Sequence, residues 1–123
     1  MRLQQVYEKF RDRADFWWIY VKEAHPTDGR RPSRSVKIAQ HKSLDDRKKA
    51  AGSCVKDLKL GIPQLIDDMN NTVATAYHGS PDRLFILSPD ATIAYRGDKG
   101  PFGFDVAEME KSLEKLLKQP KSD

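Results

Sequence analysis

Phe16-Trp17-Trp18-Ile19-Tyr20-Val21 is apolar without a break and then gives way to Lys22, Glu23, Ala24, His25, Pro26, Thr27, Asp28 and Gly29. The run is too short for a core helix and too aromatic for a loop. It reads as a strand buried on both faces, the pattern of an interior strand in an α/β sheet. Ligands of such sheets bind outside the carboxyl ends of the strands. Glu23 and His25 stand at that end, with Pro26 and Gly29 shaping the loop behind them. A carboxylate and an imidazole placed there can move protons. The same two residues can also be read as a hydrogen-bonded pair that orders the loop.

At 123 residues the chain is expected to form a single domain with one core of modest size. Apolar content of 38% against 33% charged residues means that much of the chain must be solvated helix surface. The net charge of +4 comes from 22 basic and 18 acidic residues that are interspersed. With no basic stripe and no aromatic-basic platform, nucleic acid is not an expected partner. The local excess at Arg30, Arg31, Arg34 and Lys37 falls in a loop and reads as solvation of that segment. A lone cysteine, Cys54, excludes an internal disulfide and fits a reducing compartment. No stretch approaches the ~18 apolar residues that span a bilayer, and no apolar signal core follows Met1. The expectation is a soluble, cytoplasmic protein with no membrane partner.

The elements alternate. Residues 3–13 form an amphipathic helix with Leu3, Val6, Tyr7 and Phe10 on one face. The strand at 16–21 follows, then a polar loop over 22–42, a length that in a compact domain is usually functional or mobile. Ser43 with Asp46 starts a helix that runs to about Leu58 and turns Ala50, Ala51, Cys54 and Leu58 inward. Gly61-Ile62-Pro63 ends it, and residues 64–67 make a short strand. Asn70 or Asn71 caps a brief helix to Tyr77. Residues 83–87 and 92–96 form a hairpin around Ser88-Pro89-Asp90-Ala91. A glycine-rich loop over 97–103 leads to Asp105, which with Glu108 opens a last helix to about Lys118. The order is α, β, α, β, α, β, β, α, and a hairpin following βα units is the back half of a thioredoxin-like fold.

The blocks IYVKEAHPTDG, then His41-Lys42-Ser43-Leu44-Asp45-Asp46-Arg47, then Ala76-Tyr77 with Pro81-Asp82-Arg83-Leu84-Phe85, then Tyr95-Arg96-Gly97 with Gly100-Pro101-Phe102-Gly103-Phe104, carry a resemblance. Together, in this order and over residues from about 5 to 117, they resemble the iodothyronine deiodinase family. Residues 60–67 and Cys54 are more similar to its soluble bacterial members than to the membrane-anchored animal enzymes.

The resemblance implies a mixed sheet flanked by helices, and reductive dehalogenation of iodinated phenols or related aryl halides by a selenol or thiol. An external thiol is the expected reductant, and no bound cofactor is expected. The family's selenocysteine or cysteine motif, with the central strand that bears it, has no counterpart here. The chain therefore reads as a thioredoxin-like domain incomplete at its N-terminus, whose open strand edges are expected to pair with upstream sequence, with a second copy in a homodimer or with another protein. By the same resemblance Glu23, His25 and His41 are catalytic residues that deliver protons, and Tyr20, Pro81 and Arg83 lie with the substrate. Pro81 takes the cis-proline position that borders thioredoxin-like active sites. Arg30 replaces the aromatic residue that usually follows the Asp-Gly pair.

Other readings of the same residues stand beside these. Tyr20 can be simply core, and Cys54, on the apolar side of a helix, reads as structural because a buried thiol makes little thiolate. Glu23, His25, His41 and His78 have no metal-ligand spacing, so no metal is expected. A non-catalytic thioredoxin-fold binding module, or a thiol-peroxidase-like redox protein, is the alternative to a dehalogenase.

Overall fold

The structure, a computed structural model, describes residues 2–23, 28–29, 39–100 and 102–118. Its elements are α1 (Arg2–Phe10), β1 (Trp18–Tyr20), α2 (Leu44–Leu58), β2 (Gln64–Ile66), α3 (Thr72–Ala76), β3 (Phe85–Leu87), β4 (Ile93–Arg96) and α4 (Val106–Lys118). Element order is as the sequence predicts, with strands shorter by one to three residues. The result is a mixed α/β chain with two small sheets, β1 with β2 and β3 with β4. It divides into two compact units, Phe16–Pro81 and the residues on either side of that segment.

In the unit built from the chain's two flanks, α1 and α4 turn apolar stripes inward. Val6 and Phe10 are buried on α1, and Met109 and Leu113 on α4, at the helical spacing of one face. Outside them, Lys9 meets Glu114 at 2.9 Å and Arg2 meets Glu110 at 3.1 Å. These pairs are solvated and add little stability. The antiparallel hairpin pairs Phe85 with Arg96 and Ile86 with Tyr95, then slips one residue to pair Leu87 with Ile93. Its turn is closed by Ser88 N–H donating to Thr92 O, while Asp90 Oδ1 accepts from the Thr92 amide and hydroxyl. Asp105 Oδ1 accepts from Glu108 N–H and so caps α4 as its sequence predicts. Gly103 packs directly on backbone, because a Cβ there would lie 2.7 Å from both the Asp98 carbonyl carbon and Lys99 O.

In the Phe16–Pro81 unit, β1 and β2 run parallel, pairing Trp18 with Gln64, Ile19 with Leu65 and Tyr20 with Ile66. The crossover a parallel pair requires contains α2. Ser43 opens α2, accepting from Asp46 N–H at 3.1 Å. The chain leaves the helix at Lys59, which takes the left-handed conformation (φ 53°), so the stop falls two residues before the predicted Gly61. Ala51, Leu60, Ile62 and Ala74 are buried together with Tyr20. The Ser80–Pro81 peptide is cis.

Three expectations need correction. The run at 16–21 is not buried on both faces. Trp17 is 59% exposed, Ile19 36% and Leu65 45%, so the face they share is only partly covered among the described residues. On α2, Leu58 is 45% exposed and Ala50 and Cys54 are only half-buried, while a charged residue, Arg47, is buried in their place. At α3, Asn71 holds the cap position in a left-handed conformation and makes no capping bond through its side chain. Asp67 and Asp68 serve the helix instead. Asp67 Oδ1 and Oδ2 accept from Val73 and Ala74 N–H at 3.0 Å each, and Asp68 Oδ1 from Thr72 N–H at 3.0 Å.

Candidate functional site

The carboxyl ends of the parallel strands lie side by side, because Tyr20 pairs with Ile66 and Asp67 N–H continues the ladder to Tyr20 O at 2.9 Å. Beyond β1 the chain turns to Glu23, and beyond β2 to Asp67 and Asp68. Opposite them His41 and Arg47 enter from the start of α2. This is where a parallel α/β sheet collects ligand-facing groups.

The Tyr20 hydroxyl donates to the Glu23 carboxylate. His41 Nε2 lies 3.4 Å from the same hydroxyl oxygen and 4.0 Å from Glu23 Oε1, with the two rings tilted at 46° and their centroids 5.4 Å apart. Imidazole, phenol and carboxylate therefore form one polar cluster. His41 is 7% exposed, and burial, reinforced by the Arg47 cation, holds its pKa below the ordinary imidazole value. Burial and the adjoining Glu23 carboxylate push the Tyr20 phenol well above its usual range, so it stays protonated.

Two residues that the sequence reading passes over hold this cluster. Gln40 clamps the Glu23 backbone, its Oε1 accepting from Glu23 N–H at 3.2 Å and its Nε2 donating to Glu23 O at 3.0 Å. Gln40 N–H in turn donates to Asp28 Oδ1 at 2.9 Å, which ties Asp28 to the same residue. Arg47, 2% exposed, donates from Nε to His41 Nδ1 at 3.0 Å, from Nη1 to Asp68 O at 2.6 Å and from Nη2 to Asn71 Oδ1 at 3.0 Å. A buried guanidinium is tolerable when its donors are used in this way. The buried Asp67 carboxylate is likewise spent on backbone N–H groups at the positive end of α3. Arg47 had a sequence signal: it stands four residues before Ala51, on the stripe of α2 that must face inward.

Of the predicted site residues, the structure brings Tyr20, Glu23 and His41 together. His25 lies outside the described residues, as do Arg30, Arg31, Arg34 and Lys37. Pro81 closes the same unit in its cis form. Arg83 belongs to the other unit, where its Nε donates to Gly97 O at 2.6 Å and its guanidinium lies over the Phe85 ring. The Cys54 thiol is half-buried, and burial first, then Glu23, raises its pKa. Among the described residues no three His, Cys, Asp or Glu side chains gather as a metal site, and no helix is long and apolar enough to cross a membrane.

A mixed α/β chain with a histidine, a tyrosine and a carboxylate at the ends of parallel strands is equipped for proton transfer to a bound ligand. The profile of the iodothyronine deiodinase family matches residues 1–117, and the chain belongs to that family. It is similar to the thyroxine 5-deiodinase of sheep (Ovis aries), with 38% identity over 94% of this chain and 39% of that protein. The human thyroxine 5-deiodinase is 37% identical over 94% of this chain and 38% of its own length, and that of Sparus aurata 35% over 90% and 41%. The chain thus spans about two-fifths of the length of these vertebrate relatives.

Proposed function

We propose that the protein carrying this chain is a deiodinase-like oxidoreductase that removes iodine reductively from iodinated phenols or related aryl halides. The observation that carries this reading is the contact of the Tyr20 hydroxyl with both Glu23 and His41 at the carboxyl end of β1, in a chain of the deiodinase family. In the reaction a selenolate or thiolate takes the iodine, both electrons of the carbon–iodine bond stay on carbon, and carbon takes a proton. An external thiol then reduces the chalcogen–iodine bond, releasing iodide and becoming disulfide. Within this scheme the cluster of His41, Tyr20 and Glu23 supplies the proton, and the family resemblance assigns a further proton-delivering role to His25 and substrate roles to Pro81 and Arg83. The nucleophile is not Cys54, whose raised pKa and half-buried place on α2 suit packing. We read the two small sheets as parts of a thioredoxin-like sheet, and the protein as a soluble, cytoplasmic, bacterial-type member of the family with no bound cofactor.

The test is iodide release from an iodinated phenol by the whole protein, with dithiothreitol as reductant. His41→Asn and Tyr20→Phe are each expected to lower kcat/KM by about 10²–10⁴-fold, the span of general acid–base help. Equal rates in the folded variants would overturn the site. No release above the protein-free rate would instead favour a non-catalytic binding module, a reading that Cys54's poor thiolate character supports for this chain taken alone.

A further inference from the structure

We propose that Arg47 is a positioning residue for the reaction: by donating from Nε to His41 Nδ1 it fixes the imidazole as the tautomer that carries its proton on Nε2, aimed at Tyr20 and Glu23. The inference deepens the proposed function and rests on it for the catalytic consequence alone.

A guanidinium has no acceptor, so at 3.0 Å from Arg47 Nε the His41 Nδ1 must be the unprotonated, accepting nitrogen. In a neutral ring the proton then sits on Nε2, and Nε2 faces the Tyr20 oxygen at 3.4 Å and Glu23 Oε1 at 4.0 Å. The proton of the Tyr20 hydroxyl is already committed to Glu23, so its oxygen is free to accept from His41. Donation thus runs in one direction, from Arg47 to His41 to Tyr20 to Glu23.

Arg47 cannot swing away, because Asp67 O and Asp68 O hold Nη1 and Asn71 Oδ1 holds Nη2. Among the described residues the charged groups that act on His41 are Arg47 and Asp46 on α2 and Glu23 beyond β1, with the Tyr20 phenol beside them. Among the described residues only Arg47 touches Nδ1. A second proton on Nδ1 would face the guanidinium directly, so the ring works as a neutral donor and not as an imidazolium.

The test is the tautomer of His41, read from its ring ¹⁵N resonances in the full chain at neutral pH. Expected is Nδ1 unprotonated and Nε2 protonated, moving toward a mixture of tautomers in Arg47→Met. A proton on Nδ1 in the unsubstituted chain overturns the inference, and that measurement needs no variant to fold. An unchanged tautomer in a folded Arg47→Met protein overturns it as well, whereas Arg47→Lys, which can still donate to Nδ1, is expected to keep the tautomer. In the whole protein, Arg47→Met is expected to lower kcat about 10²-fold, the cost of a misplaced catalytic group. It should also move the acid limb of the pH–rate profile to higher pH, because the Arg47 cation no longer opposes a second proton on His41. Should the tautomer shift with no change in rate or profile, the positioning of the ring stands and the catalytic role of His41 falls.

Discussion

Gln40 and Glu23 bond to one another as two paired strand residues would, although they are 17 positions apart and one of the two partners is a side chain. The Gln40 amide offers an acceptor and a donor at the spacing of a peptide group, which satisfies the Glu23 N–H and C=O at once. Both ends of the intervening loop are joined in this way just where the Glu23 carboxylate meets Tyr20.

Gln40→Ala is therefore expected to cost about 1–2 kcal/mol, since two backbone groups lose their partners where water is partly excluded. Urea denaturation of the full chain measures this. Gln40→Glu should do nearly as badly, because a carboxylate cannot donate to Glu23 O. A Gln40→Ala midpoint equal to that of the unsubstituted chain would show the clamp to be energetically idle.

The lowered pKa of His41 makes stability depend on pH in a stated direction. The unfolded imidazole titrates near its usual value of about 6.5, and the folded one below it. Between the two, the unfolded chain binds more protons, so stability rises with pH through that window. The contribution is fully present above about pH 6.5 and is lost as pH falls through the folded pKa. His41→Phe should flatten the part of the stability–pH curve below neutrality that belongs to this residue. An unaltered slope would place the titration elsewhere.

Asp67→Ala is expected to destabilise by about 2 kcal/mol or more, the upper range for loss of a helix N-cap, because the carboxylate is buried and accepts from three backbone amides. Asn71→Ala should cost less from the cap, since its side chain does not serve α3, and would act through the Arg47 bond instead. Thermal unfolding of the two variants side by side checks the order. Reversal of that order would return the capping role to Asn71.

Gly103→Ala is expected to destabilise by about 1–3 kcal/mol, the usual cost of forcing atoms into a packed site. The obstacles are Asp98 Cβ and, at 2.7 Å, main-chain atoms of Asp98 and Lys99, none of which can rotate aside. At Gly100 the nearest neighbour of an added Cβ is the Asp82 side chain, which can move, so Gly100→Ala should be milder. Equal losses at both positions would contradict this distinction.

What the sequence by itself determined is the set of local features. The order of eight elements, the Ser43 and Asp105 caps, the inward stripe of Val6 and Phe10 and the hairpin after Pro81 depend on neighbours a few residues apart. Side-chain periodicity and capping chemistry act at that range. The family could be read from its blocks for the same reason. Tertiary structure decided which faces are covered and which charges are buried. Trp17 and Ile19 have the composition of core residues yet stand exposed, because burial needs an opposing surface and no pattern in a strand supplies one. Arg47 has the composition of a surface residue yet is buried, because His41, Asp68 and Asn71, brought in from α2's approach and the β2–α3 turn, give its donors acceptors. The meeting of Tyr20, Glu23 and His41 likewise depends on the parallel pairing of β1 with β2, a contact between segments more than forty residues apart.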